Sequence, residues 1–312
     1  MTAAGFDLVA LGEPLVELNQ TRESGGAYIQ GFGGDTSNCA IAAARLGARV
    51  AYVTRLGDDA FGRAFLSLWR KEGVDASGVA VDPDAPTGLY FVSHGPAGHE
   101  FSYLRAGSAA SRMLSADLPL ELVRTARVLH VSGISQAISA SACDACFAAM
   151  EACRASGAKV SYDTNLRLKL WPLSRARAII RASLALADWA LPSLDDAALL
   201  FGRDEPDAIL DACHADGAPL VVLRCGAAGC IVSDGRRRER LAGHRVAAVD
   251  ATGAGDCFDG AFAARIVAGD DPFAAARYAN AAAALATTGY GAVAPLPRHR
   301  DVVQLLGEAV AP

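Results

Sequence analysis

No apolar run in this chain approaches the roughly 18 residues needed to cross a bilayer, although hydrophobic residues fill 52% of its 312 positions. A large buried core without a membrane span is therefore expected. The opening residues, MTAAGFDLVALGEP, lack a basic leader and carry Asp7 inside their only apolar stretch, which does not suit a secretory signal and points to the cytoplasm. Positive charge is in deficit: 29 Lys and Arg stand against 34 Asp and Glu, a net charge of -5. A nucleic-acid partner is not expected from that balance, and an anionic small molecule would have to be met by local basic residues. Spacing suited to a disulfide framework is also missing, since the eight cysteines are scattered and several lie in Ala-rich helical patterns. Cys143 and Cys146, with Cys153 nearby, fall on a helical face beside Phe147 and Met150 and have no second pair to complete a metal site, so they read as packing. The six histidines form no H-E-x-x-H, and neither a P-loop G-x-x-x-x-G-K-[ST] nor an early G-x-G-x-x-G is present. Internal repeats and low-complexity linkers are likewise lacking.

What is present is an alternation. Short apolar runs closed by Gly, Ser or Asn (DLVALG, VAYVTRLG, RVLHVSG, AKVSYDTN, WALPS, PLVVLRCG) are separated by helical patterns such as SNCAIAAARLG, FGRAFLSLWRKEG, SACDACFAAMEACRASG and RARAIIRASLALA. This predicts an α/β fold with a mostly parallel sheet covered by helices on both faces, and ligands beyond the carboxyl ends of the strands. Two stretches break the rhythm, at about 14–33 and 87–105, where strands follow one another without a helix. They predict a small β-sheet lid on a single catalytic domain of 1–312. The stretch DGRRRER from Asp234 reads as a solvated hairpin turn.

Near the end, HRVAAVD predicts a strand, ATGAG a turn, and the residues from Asp256 to about Ala268 a helix. Gly253 and Gly255 let the backbone approach a ligand, and free N–H groups at a helix start form a site for phosphate oxygens. An acid at Asp256 suits the helix dipole, but glycines on both sides of the turn are not needed for that alone. In phosphoryl transfer one Asp accepts the proton of the attacking hydroxyl while other groups hold the phosphoryl.

The motif VDATGAGDCFDGAF resembles the C-terminal signature of the ribokinase-like, PfkB-type carbohydrate kinases, and GGDTSNCAIAAARLG followed by RLGDDAFG resembles their N-terminal one. The resemblance covers nearly the whole chain. It implies an ATP-dependent kinase that uses magnesium, with Asp256 as catalytic base and Gly253, Ala254 and Gly255 as the anion hole. Within the family, YLRAGSAAS at 103–111 and DTNLRLKLW at 163–171 are most similar to kinases acting on 2-keto-3-deoxygluconate, phosphorylated at its terminal hydroxyl. Tyr103 and Arg105, two apart in a strand, share one face. Arg105 and Arg167 would grip the acceptor's carboxylate, a task an Arg fork suits. Gly33, Gly34, Asp35, Asn38 and Tyr90 are implied at the sugar.

For the nucleotide, the resemblance of LRCGAAGC implies Arg224, Gly226 and Gly229, with Asn280 near adenine and Asn165 and Ser193 nearby. The family's N-x-x-E element, linked to magnesium, stands here as Ser193-Leu194-Asp195-Asp196. Two readings of it remain open: Asp196 organises magnesium-bound water, or Ser193 and Asp195 are a helix cap and first-turn acid. Asp250 and Thr252 occupy positions that hold a monovalent cation in some relatives. Lid sheets that pair between subunits in relatives imply a homo-oligomer. The alternatives are a kinase for a neutral sugar such as fructose or ribose, a non-catalytic sugar or nucleotide sensor, and a nicotinamide-dependent enzyme. An intact Asp256 speaks against the sensor and the missing fingerprint against the last.

Overall fold

A computed structural model describes residues 5–21, 26–95 and 98–307. Residues 1–4, where the leader reading begins, lie outside them, as do 22–25 and 96–97 within the two expected lid stretches. The larger sheet has nine strands, running from edge to edge β13 (Arg238–Ala242), β12 (Gly229–Ser233), β11 (Leu220–Arg224), β10 (Trp189–Ala190), β9 (Lys159–Asp163), β8 (Val128–Ser132), β1 (Leu8–Leu11), β4 (Val50–Gly57) and β5 (Val74–Asp82). Its pairings are parallel except for the hairpin that adds β12 and β13 at one edge. DGRRRER forms the turn of that hairpin, where Asp234 accepts from the amides of Arg236 and Arg237. No helix among the described residues is long and apolar enough to cross a membrane.

The apolar runs are continuous rather than alternating because both faces of this sheet are covered. In β1, Leu8 and Ala10 pack into one helical layer while Val9 and Leu11 pack into the other. The first layer contains the helices Asp35–Arg45, Ala60–Glu72, Ala254–Ala268 and Pro272–Ala286. The second contains Ala140–Ala155, Leu173–Leu184 and Pro206–Ala215. Cys143, Cys146 and Cys153 are buried free thiols in that second layer, on one helix.

From β1 the sheet grows one way to β4 and β5 and the other way to β8 through β11. The order reverses between β1 and β8, the place in an open α/β sheet where ligands bind beyond the strand ends. A second sheet of four strands covers that end: β3 (Tyr28–Gly33), β2 (Leu15–Gln20), β6 (Leu89–Gly95) and β7 (Gly98–Leu104). Its hairpins β2–β3 and β6–β7 are antiparallel, and β2 joins β6 in parallel.

One expected strand is not formed. His244–Asp250 is irregular and largely exposed, because no strand among the described residues runs beside it. The amides of Val249 and Asp250 donate instead to the carbonyl of Thr287, at 2.7 and 3.1 Å. The helix after the turn begins at Ala254, two residues before the predicted start.

The helices Asp35–Arg45 and Ala254–Ala268 touch at Gly260. A Cβ there would stand 2.3 Å from the Cys39 carbonyl oxygen and 2.9 Å from the Ala42 Cβ. Gly260→Ala is expected to cost about 1–3 kcal/mol through overpacking, read as a lower urea midpoint at unchanged m. An unchanged midpoint would show that this contact does not set the spacing of the two helices.

Candidate active site

A cleft of about 1580 Å³ lies between the carboxyl ends of the large sheet and the small sheet. On its floor, Gly253 caps the helix Ala254–Ala268 with φ 76°, a left-handed conformation that glycine adopts without penalty. A side chain there would also meet Ala292 at 3.0 Å. The amide of Ala254 closes the turn on the Ala251 carbonyl at 3.2 Å, and Cys257 opens the helical ladder by donating to Gly253. The amides of Gly253, Gly255 and Asp256 have no protein acceptor among the described residues. Of the three expected anion-hole residues, Ala254 thus spends its amide on the turn, and the amide of Asp256 takes its place as a donor. Gly255 is required by a close neighbour: a Cβ would sit 3.0 Å from Arg224 Nη1.

Asp256, half-buried in the first turn, accepts a hydrogen bond from Asn38 Nδ2 at 2.8 Å. Burial pushes its carboxyl up to about 7, with the negative charges of Asp35 and Asp163 adding to the rise and Asn38 and Arg224 opposing it. Arg224 is not available to a nucleotide as expected. Its Nη2 donates to Asp163 at 2.5 Å, and its Nη1 to Asp259 at 2.9 Å and to the Gly255 carbonyl at 3.0 Å. The reason is electrostatic: Asp163 and Asp259 are both buried, and buried carboxylates left without a cation are costly.

On the acceptor side, Asp35 starts its helix after Gly34, whose φ of 99° and contact with the Glu13 carbonyl exclude a side chain. Asp35 Oδ2 accepts from Asn165 Nδ2 at 3.1 Å. Asp35 Oδ1 and Asn38 Oδ1 are buried polar atoms without a protein hydrogen bond, as groups reserved for a ligand would be. Burial, with Asp163 adding to it, raises the Asp35 carboxyl. Asn165 holds φ 27° and is the positive-φ residue other than glycine among those described. It therefore sits at the sugar side as well as the nucleotide side assigned to it. Gly33 is not on the cleft wall: its missing Cβ makes room for the Tyr90 hydroxyl, 2.7 Å from where that atom would be.

The small sheet contributes Tyr90, Phe101 and Tyr103 to the cleft. Tyr90 donates to Glu17 at 2.5 Å and packs on Tyr103 with ring centres 5.6 Å apart. Arg105, just beyond β7, lines the cleft but is bound to a partner that the sequence did not disclose: its Nε donates to Glu13 Oε2 at 2.7 Å, and Nη2 closes on the same oxygen. Arg167 is freer. Half exposed, it donates to the Leu166 carbonyl and stands 3.8 Å from Asp196.

Toward the other end, Gly226, with φ 56° and open space where a Cβ would be, and Gly229, with φ 100°, line the cleft. Asn280 lines it too while donating to the Ala242 carbonyl at 2.7 Å. Ser193 caps the helix Leu194–Phe201 by accepting from the Asp196 amide. Asp196 Oδ2 accepts from the Leu166 amide at 3.1 Å, and its carboxyl is raised by burial despite Arg167. Asp250 braces the turn, accepting from Thr252 through one oxygen and from the Gly291 amide through the other. Glu13 and Asp163, absent from the sequence expectations, are the acids that link these parts. Each stands at or just past the carboxyl end of a parallel strand, and that position is the signal that could have singled them out.

The family model described as pfkB family carbohydrate kinase matches residues 6–299. This chain belongs to that family. It is 37% identical to a 2-dehydro-3-deoxygluconokinase of Thermoproteus tenax, over 97% of this chain and 95% of that one, and 36% identical to fructokinase-1 of Oryza sativa subsp. japonica, over 97% and 98%. An E. coli protein described as a ribokinase II, solved with ATP and Mg2+, superposes with a TM-score of 0.89 at 26% identity, covering 97% of this chain and 99% of the other. The protein is thus a sugar kinase of the ribokinase-like fold, as the two signatures implied.

If Asp256 is the base that the resemblance implies, activity requires its carboxylate form. The acid limb of kcat/KM for the acceptor is expected near pH 7, rising with pH. Asn38→Ala removes a bond that lowers this group, so it should move the limb to higher pH. A limb that ignores Asn38 would assign the titration to another residue.

Proposed function

We propose that this kinase transfers the γ-phosphoryl group of ATP to the terminal hydroxyl of 2-keto-3-deoxygluconate. The observation that carries the acid acceptor is Arg167, a guanidinium on the wall of the catalytic cleft just past β9, with its outer edge free of protein partners among the described residues. A carboxylate offers such a fork two acceptors, whereas a neutral hydroxyl gains less from it. The similarity to the Thermoproteus enzyme supports the same choice.

In this reading Asn38 and Asp35 orient the acceptor so that its hydroxyl meets Asp256, which takes the proton. The unpaired amides of Gly253, Gly255 and Asp256 hold the migrating phosphoryl. Gly226, Gly229 and Asn280 border the nucleotide, Ser193 shaping the strand end below it. The small sheet acts as a lid: Tyr90 and Tyr103 cover the acceptor and keep water from the phosphoryl. Among the described residues no three acids, histidines or cysteines are placed to cage a metal by themselves. That fits magnesium, which keeps several waters and needs only one or two carboxylates beside the phosphates. Asp196 would hold it through water, and magnesium so bound neutralises developing phosphate charge. Asp250 and Thr252 remain the candidates beside a monovalent cation, and pairing of the exposed side of the lid would make the protein an oligomer.

A neutral ketose is the second reading, and a specific observation favours it: Arg105, the other expected carboxylate ligand, is already neutralised by Glu13. ADP release measured over a panel of sugar acids and neutral sugars separates the two. Arg167→Ala should raise KM for the acid roughly tenfold or more, the scale of a lost charge-assisted bond, and change a neutral sugar's KM far less. Equal effects on both would remove the acid reading. Asp256→Asn should lower kcat by about 10²- to 10⁴-fold with the fold intact; near-normal turnover would take Asp256 out of the base role.

A further inference from the structure

Glu13 is a carboxylate without exposure, placed at the end of the central strand where the chain leaves for the small sheet. Arg105 and Ser108 hold it as an acceptor, while burial and the charge of Asp35 push its carboxyl up. Arg105 meets Oε2 through Nε and Nη2, and Ser108 donates to Oε1 at 2.5 Å. Gly88 supplies the space, since a Cβ there would stand 2.9 Å from Oε1. Arg105 follows β7 immediately, so the pair ties the far strand of the small sheet to the hub of the large one. Arg105 Nη1 has no protein partner among the described residues, and the residue lines the cleft near Tyr103, whose ring centre is 5.8 Å from its Cζ.

The consequence is electrostatic. Arg105 presents an N–H edge to the acceptor, but the full charge of its guanidinium is opposed by a carboxylate in hydrogen-bond contact. A carboxylate at the open edge of Arg105 is nearer the guanidinium than Glu13, so Glu13's repulsion offsets part of that attraction and weakens it. A neutral oxygen responds to the N–H edge and loses little. We infer that Glu13 is a specificity-determining positioning residue: it sets Arg105 in place as a neutral hydrogen-bond donor and leaves discrimination for acidic acceptors to Arg167. The inference rests on the acceptor lying against Arg105, as the sequence resemblance implies, but not on which acceptor is phosphorylated.

Its test uses two inhibitors that differ only where it matters: gluconate, and sorbitol, in which the carboxylate is replaced by a neutral CH2OH. Each is measured as a competitive inhibitor against whichever acceptor the enzyme turns over, so failure of the sugar-acid assignment leaves the test intact. Glu13→Gln keeps the shape and an acceptor oxygen for Arg105 while removing the charge, and Ser108 can accept from the new amide. It should tighten gluconate by about tenfold, the size of one partly screened charge at such range, with no comparable gain for sorbitol. Ser108→Ala, which leaves both charges, should not change the gluconate-to-sorbitol ratio. If Glu13→Gln does not fold, judged by circular dichroism, Arg105→Gln is compared with Glu13→Gln/Arg105→Gln. The doubly substituted protein, with neither charge, should bind gluconate about tenfold more tightly than the singly substituted one that keeps an unpaired Glu13. A ratio unmoved by loss of the Glu13 charge in either comparison, or equal shifts for both inhibitors, would reduce Glu13 to a structural anchor and overturn the inference.

Discussion

Three aspartates, Asp163, Asp259 and Asp256, act on one guanidinium beneath the cleft, and the rest of the site depends on that balance of charge. Arg224 binds Asp163 and Asp259 directly and supports the helix start through the Gly255 carbonyl, while Asp256 and Asp35 lie in the same field. Burial raises the carboxyls of Asp35 and Asp256, and the neighbouring negative charge of Asp163 adds to both rises. A base whose carboxyl lies near 7 is suited to accepting a proton at neutral pH. Asp35 Oδ1 and Asn38 Oδ1, beside it, are buried without a protein hydrogen bond. Buried acids from a strand end and from the helix after the glycine turn, Asp163 and Asp259, are thus kept tolerable by a single buried arginine.

That arrangement explains why the glycines of the turn cannot be exchanged. Gly253 is held by its backbone angle and by Ala292, and Gly255 by the guanidinium under it. The sequence reading assigned both to close approach of a ligand. The structure adds that they also face inward, where the turn is pressed against the charge cluster. Free amides on the cleft side and crowded backbone on the other come from the same two residues.

The acceptor side shows how much was legible. Asp35, Asn38, Tyr90, Tyr103, Arg105 and Arg167 could be picked from the family resemblance, and all of them line the cleft. Their partners could not. Glu13 reads as one acid in GEPLVEL, and nothing local ties it to Arg105, 92 positions away. Gly33 and Gly34 look alike in GFGGD, yet one makes room for a tyrosine ring and the other bends the chain. His244–Asp250 has the composition of a strand but pairs with none, its last two amides donating to the Thr287 carbonyl at a helix end.

By itself the sequence determined the alternation of strands and helices, the helix that follows the glycine turn and the residue types of the cleft, because these follow from periodicity and glycine freedom. Only the tertiary structure decided which charges meet. Arg224 became a buried organiser, Glu13 a counter-charge and Arg167 the freer arginine, since the energy of a charge is set by neighbours brought close from distant parts of the chain and by how much water is left around them.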